Sequence, residues 1–234
     1  MTDPQLVWSK DRREPARRAP SVDRIVRAAC AVADTEGLPA VSMRRVATDL
    51  GSGTASLYRY VANRDELLDL MIDAVQGETA LAEPSGDWRA DLAELANQLR
   101  ATLLRHPWLG PELSGRPALG PNALRRHDRA LAAVAPLTSD ATLASQIVQT
   151  VMSYVFGAVN QELAEIQVQQ RTGLTEDQWR ASVGPYVRAV IESGEYPHLA
   201  KRVLEAEDPG SAEQFAFGLA CVLDGVSRAT PPPQ

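Results

Sequence analysis

Apolar residues along this chain recur at intervals of three and four, and nowhere do they alternate with polar ones. A period near 3.6 gathers side chains on one helix face, whereas a half-buried strand needs a period of two. The pattern therefore specifies an all-α protein with no sheet and no internal repeat. Its strongest stretch begins near Ser139 and carries Leu143, Ile147, Val148, Val151, Met152, Val155, Phe156, Val159 and Leu163. That stripe is wide enough for a helix buried on most sides. With 234 residues, 44% of them apolar, the chain can bury a substantial core.

Cap signals divide the pattern into two units. Residues 1–20 mix Pro4, Pro15 and Pro20 with scattered charge and no period, and read as a flexible basic arm. Ser21 is an N-cap for a helix burying Val22, Ile25, Val26, Ala29 and Ala33, which Gly37 ends. A second helix follows Ser42 and presents Met43, Val46, Ala47 and Leu50. Gly51-Ser52-Gly53 breaks it, and a short third helix turns Leu57 and Val61 inward. Asn63 with Glu66 resembles a capping box opening a fourth helix with Leu67, Met71, Ala74 and Val75. Gly77 and Pro84-Ser85-Gly86 close this unit, taken as 21–80. The remainder, 81–234, holds a helix with Trp88, Leu92, Leu95, Leu99 and Leu103, stopped at His106-Pro107. A Pro/Gly-rich connector runs from Pro111 to Pro121, and Asn122 caps a helix with Leu124, Leu131 and Val134. After the long stripe, Thr175 and Gln178 form a capping box, Gly184-Pro185 should bend or split that helix, and Ser211 with Gln214 opens the last one.

Charge is distributed unevenly over these units. The net charge is −6, yet residues 1–64 carry 11 Lys/Arg against 7 Asp/Glu, leaving the rest at −10. A basic head on an acidic body fits a head that meets a polyanion. The longest nearly apolar stretch, Val151–Val159, falls short of the roughly 20 residues of a membrane span, so no membrane is expected. The start, Met1-Thr2-Asp3-Pro4, lacks a signal pattern, and Cys30 and Cys221 read as buried thiols in a reducing cytoplasm. The histidines are His106, His127 and His198, and no metal-ligand spacing or nucleophile elbow occurs. Neither enzyme activity, metal nor cofactor is expected.

The segment Val41–Val61 has the form of a helix-turn-helix. Two short helices meet at a glycine turn, and the second must be apolar inside and polar outside to lie in a major groove. Leu57 and Val61 face inward while Ser56, Arg59 and Tyr60 share the other face. A helical hairpin with a solvated face has the same pattern and stays open as an alternative. Gly51-x-Gly53-x-x-Ser56 loosely matches a dinucleotide loop but follows a helix instead of a strand.

The helix from Ser21 to Gly37, the turn from Leu50 to Tyr60 and the following Asn63-Arg64-Asp65-Glu66-Leu67-Leu68 resemble the TetR family of bacterial transcriptional regulators. His106-Pro107-Trp108, Phe215-Ala216-Phe217-Gly218-Leu219 and Leu223-Asp224-Gly225 more loosely resemble a tetracycline-repressor-like C-terminal domain. The resemblance implies a homodimer that binds a palindromic double-stranded operator and leaves it when a small molecule enters the body. It implies that Arg44 contacts bases, that Thr54, Ala55, Ser56, Arg59 and Tyr60 form the recognition surface, that Tyr58 lies at its backbone-facing edge, and that Arg64 contacts phosphate. Ser52-Gly53 departs from the family's turn, and the basic arm is longer than in its simplest members.

In the body, His127 fits either a satisfied core histidine or an oriented polar group in an effector pocket. Asn160 and Gln161 share that ambiguity, and Trp108, Met152, Phe156, Trp179 and Tyr186 fit either core or pocket wall. For the dimer interface the apolar stripes offer Val148, Val155, Phe215, Leu219, Val222, Leu223 and Val226, in a four-helix bundle. The resulting expectation is a ligand-responsive transcriptional repressor. An activator, or a binding or scaffold protein whose helix-turn-helix no longer grips DNA, remains the alternative.

Overall fold

The computed structural model describes residues 7–9, 21–115 and 118–230. Among them the chain is helical throughout, with no strand: α1 (Val22–Glu36), α2 (Met43–Asp49), α3 (Thr54–Leu57), α4 (Arg64–Gln76), α5 (Trp88–Arg105), α6 (Leu109–Leu113), α7 (Pro121–Val134), α8 (Ala141–Thr172), α9 (Glu176–Glu192), α10 (Pro197–Glu205) and α11 (Ser211–Ala229). Local caps place most of these starts. The side chains of Ser21, Ser42 and Asn63 accept from the backbone N–H of Arg24, Arg45 and Glu66 at 3.3, 3.1 and 2.8 Å. Thr175 and Gln178 complete a capping box in both directions.

The head packs α1, α2, α3 and α4 around Ile25, Val46, Leu57, Val61 and Leu67, all fully buried. In the body, α8 is the spine and packs against α5, α7 and α11. Ile147, Val151, Val155 and Val159 fill its inner face. By length and composition alone this helix could cross a membrane, which the sequence reading did not anticipate. It packs one face against three neighbours and carries Gln and Glu residues past Asn160, with 33% of its apolar stretch buried in the protomer, so it is not the helix buried on most sides that was expected.

Six expectations change. Only Val7–Ser9 of the arm are described: they form a single turn beside α4, with Val7 buried, and the rest of residues 1–20 lies outside the described residues. The connector contains α6. A further helix, α10, opens on Pro197. Pro185 sits inside an unsplit α9. And α7 begins after Gly120, with Pro121 in its first turn, so Asn122 is inside the helix instead of capping it. Proline there costs nothing, because its missing N–H would have no partner. Cys221 is also exposed, not buried, while Cys30 is partly buried as expected.

Candidate nucleic-acid interface and ligand cleft

The turn between α2 and α3 is fixed by backbone bonds that need glycine at position 51. Ser52 N–H donates to Ala47 O and Gly51 N–H to Thr48 O, at 2.9 and 3.1 Å. This pair of bonds ends α2 with residue 51 at φ +60°, a left-handed conformation that glycine adopts without strain. Leu57 and Val61 then anchor α3 from below, with no exposure at all. Ala55, Tyr58 and Arg59 stand out into solvent, with Tyr58 53% exposed. Thr54, Ser56 and Tyr60 are half-buried, and Tyr60 leans on the core. The outward face is therefore centred on Ala55, Tyr58 and Arg59, shifted from the Ser56–Arg59–Tyr60 face expected.

The four arginines of this region divide into two kinds. Arg45 pairs with Glu36 at 2.6 Å and with Asp49, and the hydrogen bonds to Glu36 and then Asp49 raise its pKa above the ordinary value. Arg64 donates from Nε to Val41 O and from Nη2 to Leu38 O, both at 3.1 Å, bracing the α1–α2 connection from the start of α4. Arg44 and Arg59 are exposed and enter no ion pair among the described residues. Two cations are thus spent on the fold, and two lie exposed with no ion pair among the described residues. Arg24 and Arg27 of α1 add further exposed positive charge to the head.

Below the head, α4 and α7 cap each other. Asp73, 4% exposed, accepts from the N–H groups of Asn122 and Ala123 at 2.8 and 3.0 Å, and from Asn122 Nδ2 at 3.0 Å. These are the donors that α7's own cap, Gly120, cannot satisfy, because it has no side chain. Glycine is required at 120, since a Cβ there would overlap the Asp73 carboxylate. In the other direction Arg126 of α7 donates to Gln76 O at 3.2 Å, at the C-terminal end of α4. A second tie joins α1 to the body: Asp34 accepts from Trp108 Nε1 at 2.7 Å and faces His106 Nδ1 at 2.7 Å, while His106 Nε2 faces Glu78 at 3.1 Å. Trp108 is therefore part of this tie and not a pocket wall.

A cleft of about 560 Å³ opens beside the α4–α7 joint. Leu95, Leu99, Leu124, Met152 and Phe156 form its apolar walls, and Gln76, Arg126, His127, Gln149 and Ser153 its polar groups. A mostly apolar cavity with a few polar groups suits a small organic ligand. His127, Met152 and Phe156 line this cleft. Among the remaining candidates, Gln161 lines a second, acidic cleft between α8, α9 and α11, and Asn160, Trp179 and Tyr186 line neither.

Comparison with known proteins identifies this arrangement. Residues 25–71 match the profile of bacterial regulatory proteins of the tetR family, and residues 81–230 that of the tetracyclin repressor-like C-terminal domain. The HTH-type transcriptional repressor DrrR1 of Streptomyces coeruleorubidus is 41% identical over 228 residues, covering 95% of this chain and 83% of the relative. The chain belongs to the TetR family. Its fold also superimposes on the Streptomyces coelicolor TetR-family protein ActR in complex with (S)-DNPA, at TM-score 0.70 and 30% identity, covering 91% of this chain and all of that one. With ActR bound to actinorhodin the TM-score is 0.73 at 28% identity, covering 91% and 97%. The reading of a ligand-responsive, DNA-binding transcriptional repressor rests on these matches.

Within this TetR-family chain the expected dimer surface needs correction. Val148, Val155, Phe215, Leu219, Leu223 and Val226 are each at most 7% exposed inside one protomer, and Val222 is half-buried. The cause is the pairing of α8 with α11 in the same chain. Tyr154 Oη donates to Phe215 O at 2.8 Å, and Gly218 lets the Tyr154 ring lie against α11. What α11 leaves outside is Phe217, 74% exposed, with Ala220 and Cys221 on the same face.

Proposed function

We propose that this TetR-family regulator acts in the cytoplasm as a homodimer, holding a palindromic operator with its head (21–80) and a small effector in its body (81–234). Arg44 and Arg59 read base edges, and Thr54, Ala55, Ser56, Tyr58 and Tyr60 complete the surface laid in the major groove. The observation that carries this reading is that Arg44 and Arg59 are exposed and enter no ion pair among the described residues, whereas Arg45 is paired internally. An unpaired guanidinium can form a forked pair with guanine without first breaking an ion pair. Arg64 touches phosphate with what its two backbone bonds leave free, so its loss weakens all sequences alike and loosens the head as well.

One α3 reads only a few base pairs, so useful affinity requires two heads about one DNA turn apart. The exposed Phe217–Cys221 face of α11, with the outer side of α8, forms the two-fold contact. ActR has been solved with small molecules, and by analogy the cleft lined by His127, Met152 and Phe156 takes the effector here. The protein regulates and does not catalyse. Footprinting on the DNA flanking its own gene tests the reading. Arg44→Ala or Arg59→Ala should each cost about 1–3 kcal/mol, roughly 5–150-fold in affinity, and relax base preference. Undiminished binding by the double variant would refute it.

A further inference from the structure

Arg126 occupies an unusual electrostatic position in the ligand cleft. Its guanidinium donates to Gln76 O at 3.2 Å, Thr79 O at 3.5 Å and Gln98 Oε1 at 3.4 Å, all neutral acceptors and two of them at long range. It forms no ion pair among the described residues, although Arg100, Arg105 and Arg129 around it pair with Glu162, Glu78 and Glu83. Among the described residues no Asp or Glu lines this cleft, whereas the second cleft holds Glu162, Glu165, Glu176, Asp177 and Asp208. Burial holds the Arg126 pKa below the ordinary arginine value. Arginine nevertheless keeps its proton in proteins, so the cleft contains a half-buried cation without an anion.

Resting on the effector reading above, we infer that the cleft takes a largely apolar molecule bearing an anionic oxygen, a carboxylate or an ionised phenol, which docks on Arg126. The same guanidinium caps the C-terminal end of α4 through Gln76 O, favoured there by the negative end of the helix dipole. A ligand anion offers charge-assisted bonds roughly twice as strong as those to a neutral carbonyl. It therefore draws Arg126 off α4 and removes one half of the α4–α7 joint. Ligand charge is in this way converted into freedom of the helix that carries the head.

Three probes sharing one apolar frame test this on the full chain: biphenyl carboxylate, its carboxamide and biphenyl methylammonium, titrated calorimetrically into wild type, Arg126→Gln and Arg126→Lys. The carboxylate should bind wild type about tenfold or more tightly than the amide, and the ammonium most weakly. Arg126→Gln should erase the preference, and Arg126→Lys, which keeps the charge, should retain part of it. Circular dichroism confirms that each variant is folded. Equal or weaker binding of the acid in wild type, or an acid preference that survives in Arg126→Gln, overturns the inference. Operator binding measured alongside separates this inference from the effector reading. An Arg126-dependent acid that leaves DNA bound contradicts release but keeps the anion site. Release by the amide as readily as by the acid overturns the anion site and keeps release.

Discussion

The α4–α7 joint and the α9–α10 arm are built from opposite materials. In the joint, buried polar groups are matched: Asp73 satisfies the start of α7 and Arg126 the end of α4. In the arm, neither helix has a buried residue, and Trp179, Tyr186, Tyr196, Leu199, Val203 and Leu204 are exposed. A buried hydrogen-bonded interlock fixes one geometry, because breaking it strands unsatisfied groups. An exposed apolar face specifies nothing inside its own chain and gains only by meeting another surface. The joint positions the head within a protomer, and on the proposed dimer reading the arm adds exposed apolar surface to the two-fold contact of α8 and α11.

Substitutions should separate the two regions. The largest effect is expected at Gly120→Ala, where the new Cβ collides with Asp73; unfolding stability should fall by about 1–3 kcal/mol or more, read by urea denaturation. Asp73→Ala leaves the N–H groups of Asn122 and Ala123 buried without an acceptor, and should cost about 1–3 kcal/mol at every protein concentration. Tyr186→Ala, removing a side chain 74% exposed, should change protomer stability by no more than about 0.5 kcal/mol. Its effect should appear in sedimentation as weaker association. Loss of intrinsic stability in the arm variant, or concentration-dependent loss in the joint variant, would break the distinction.

The smallest effect concerns the cysteines, one partly buried in α1 and one exposed on α11. Burial, followed by the charges of Asp34 and Glu78, pushes the Cys30 thiol up to about 12. At pH 8 iodoacetamide should modify the exposed Cys221 first and leave Cys30 largely intact. Because the folded value lies above the ordinary thiol value of 9.0, the stability linked to Cys30 is complete below pH 9 and declines as pH rises towards 12.

Local signals were legible in the sequence because their chemistry is local. Ser21, Ser42, Asn63 and Thr175 cap helices through donors three residues away, and Gly51 closes its turn within six residues. The cap of α7 was not legible, because its carboxylate comes from Asp73, 49 positions before Asn122. Periodicity marked the apolar faces of α8 and α11 but could not tell what covers them; they cover each other, so the expected dimer residues became core. His127, Met152 and Phe156 share one cleft because α7 and α8 present them to it, while Trp108 is held by Asp34 from another domain. Short helices such as α6, which contains Gly110 and Pro111, and α10, which opens on Pro197, offer too few turns for a period to register.

The central claim is that the α4–α7 joint holds the head rigidly on the body. Pulsed electron resonance can test it without any ligand. Spin labels are placed at Ala55→Cys in a dimeric chain whose Cys30 and Cys221 are replaced by alanine, and the distance between the two heads is measured with Asp73 intact and as Asp73→Ala. The account predicts one narrow distance distribution with Asp73 and a broadened or shifted one without it. An unchanged narrow distribution in Asp73→Ala would show that the head is positioned by something other than this joint.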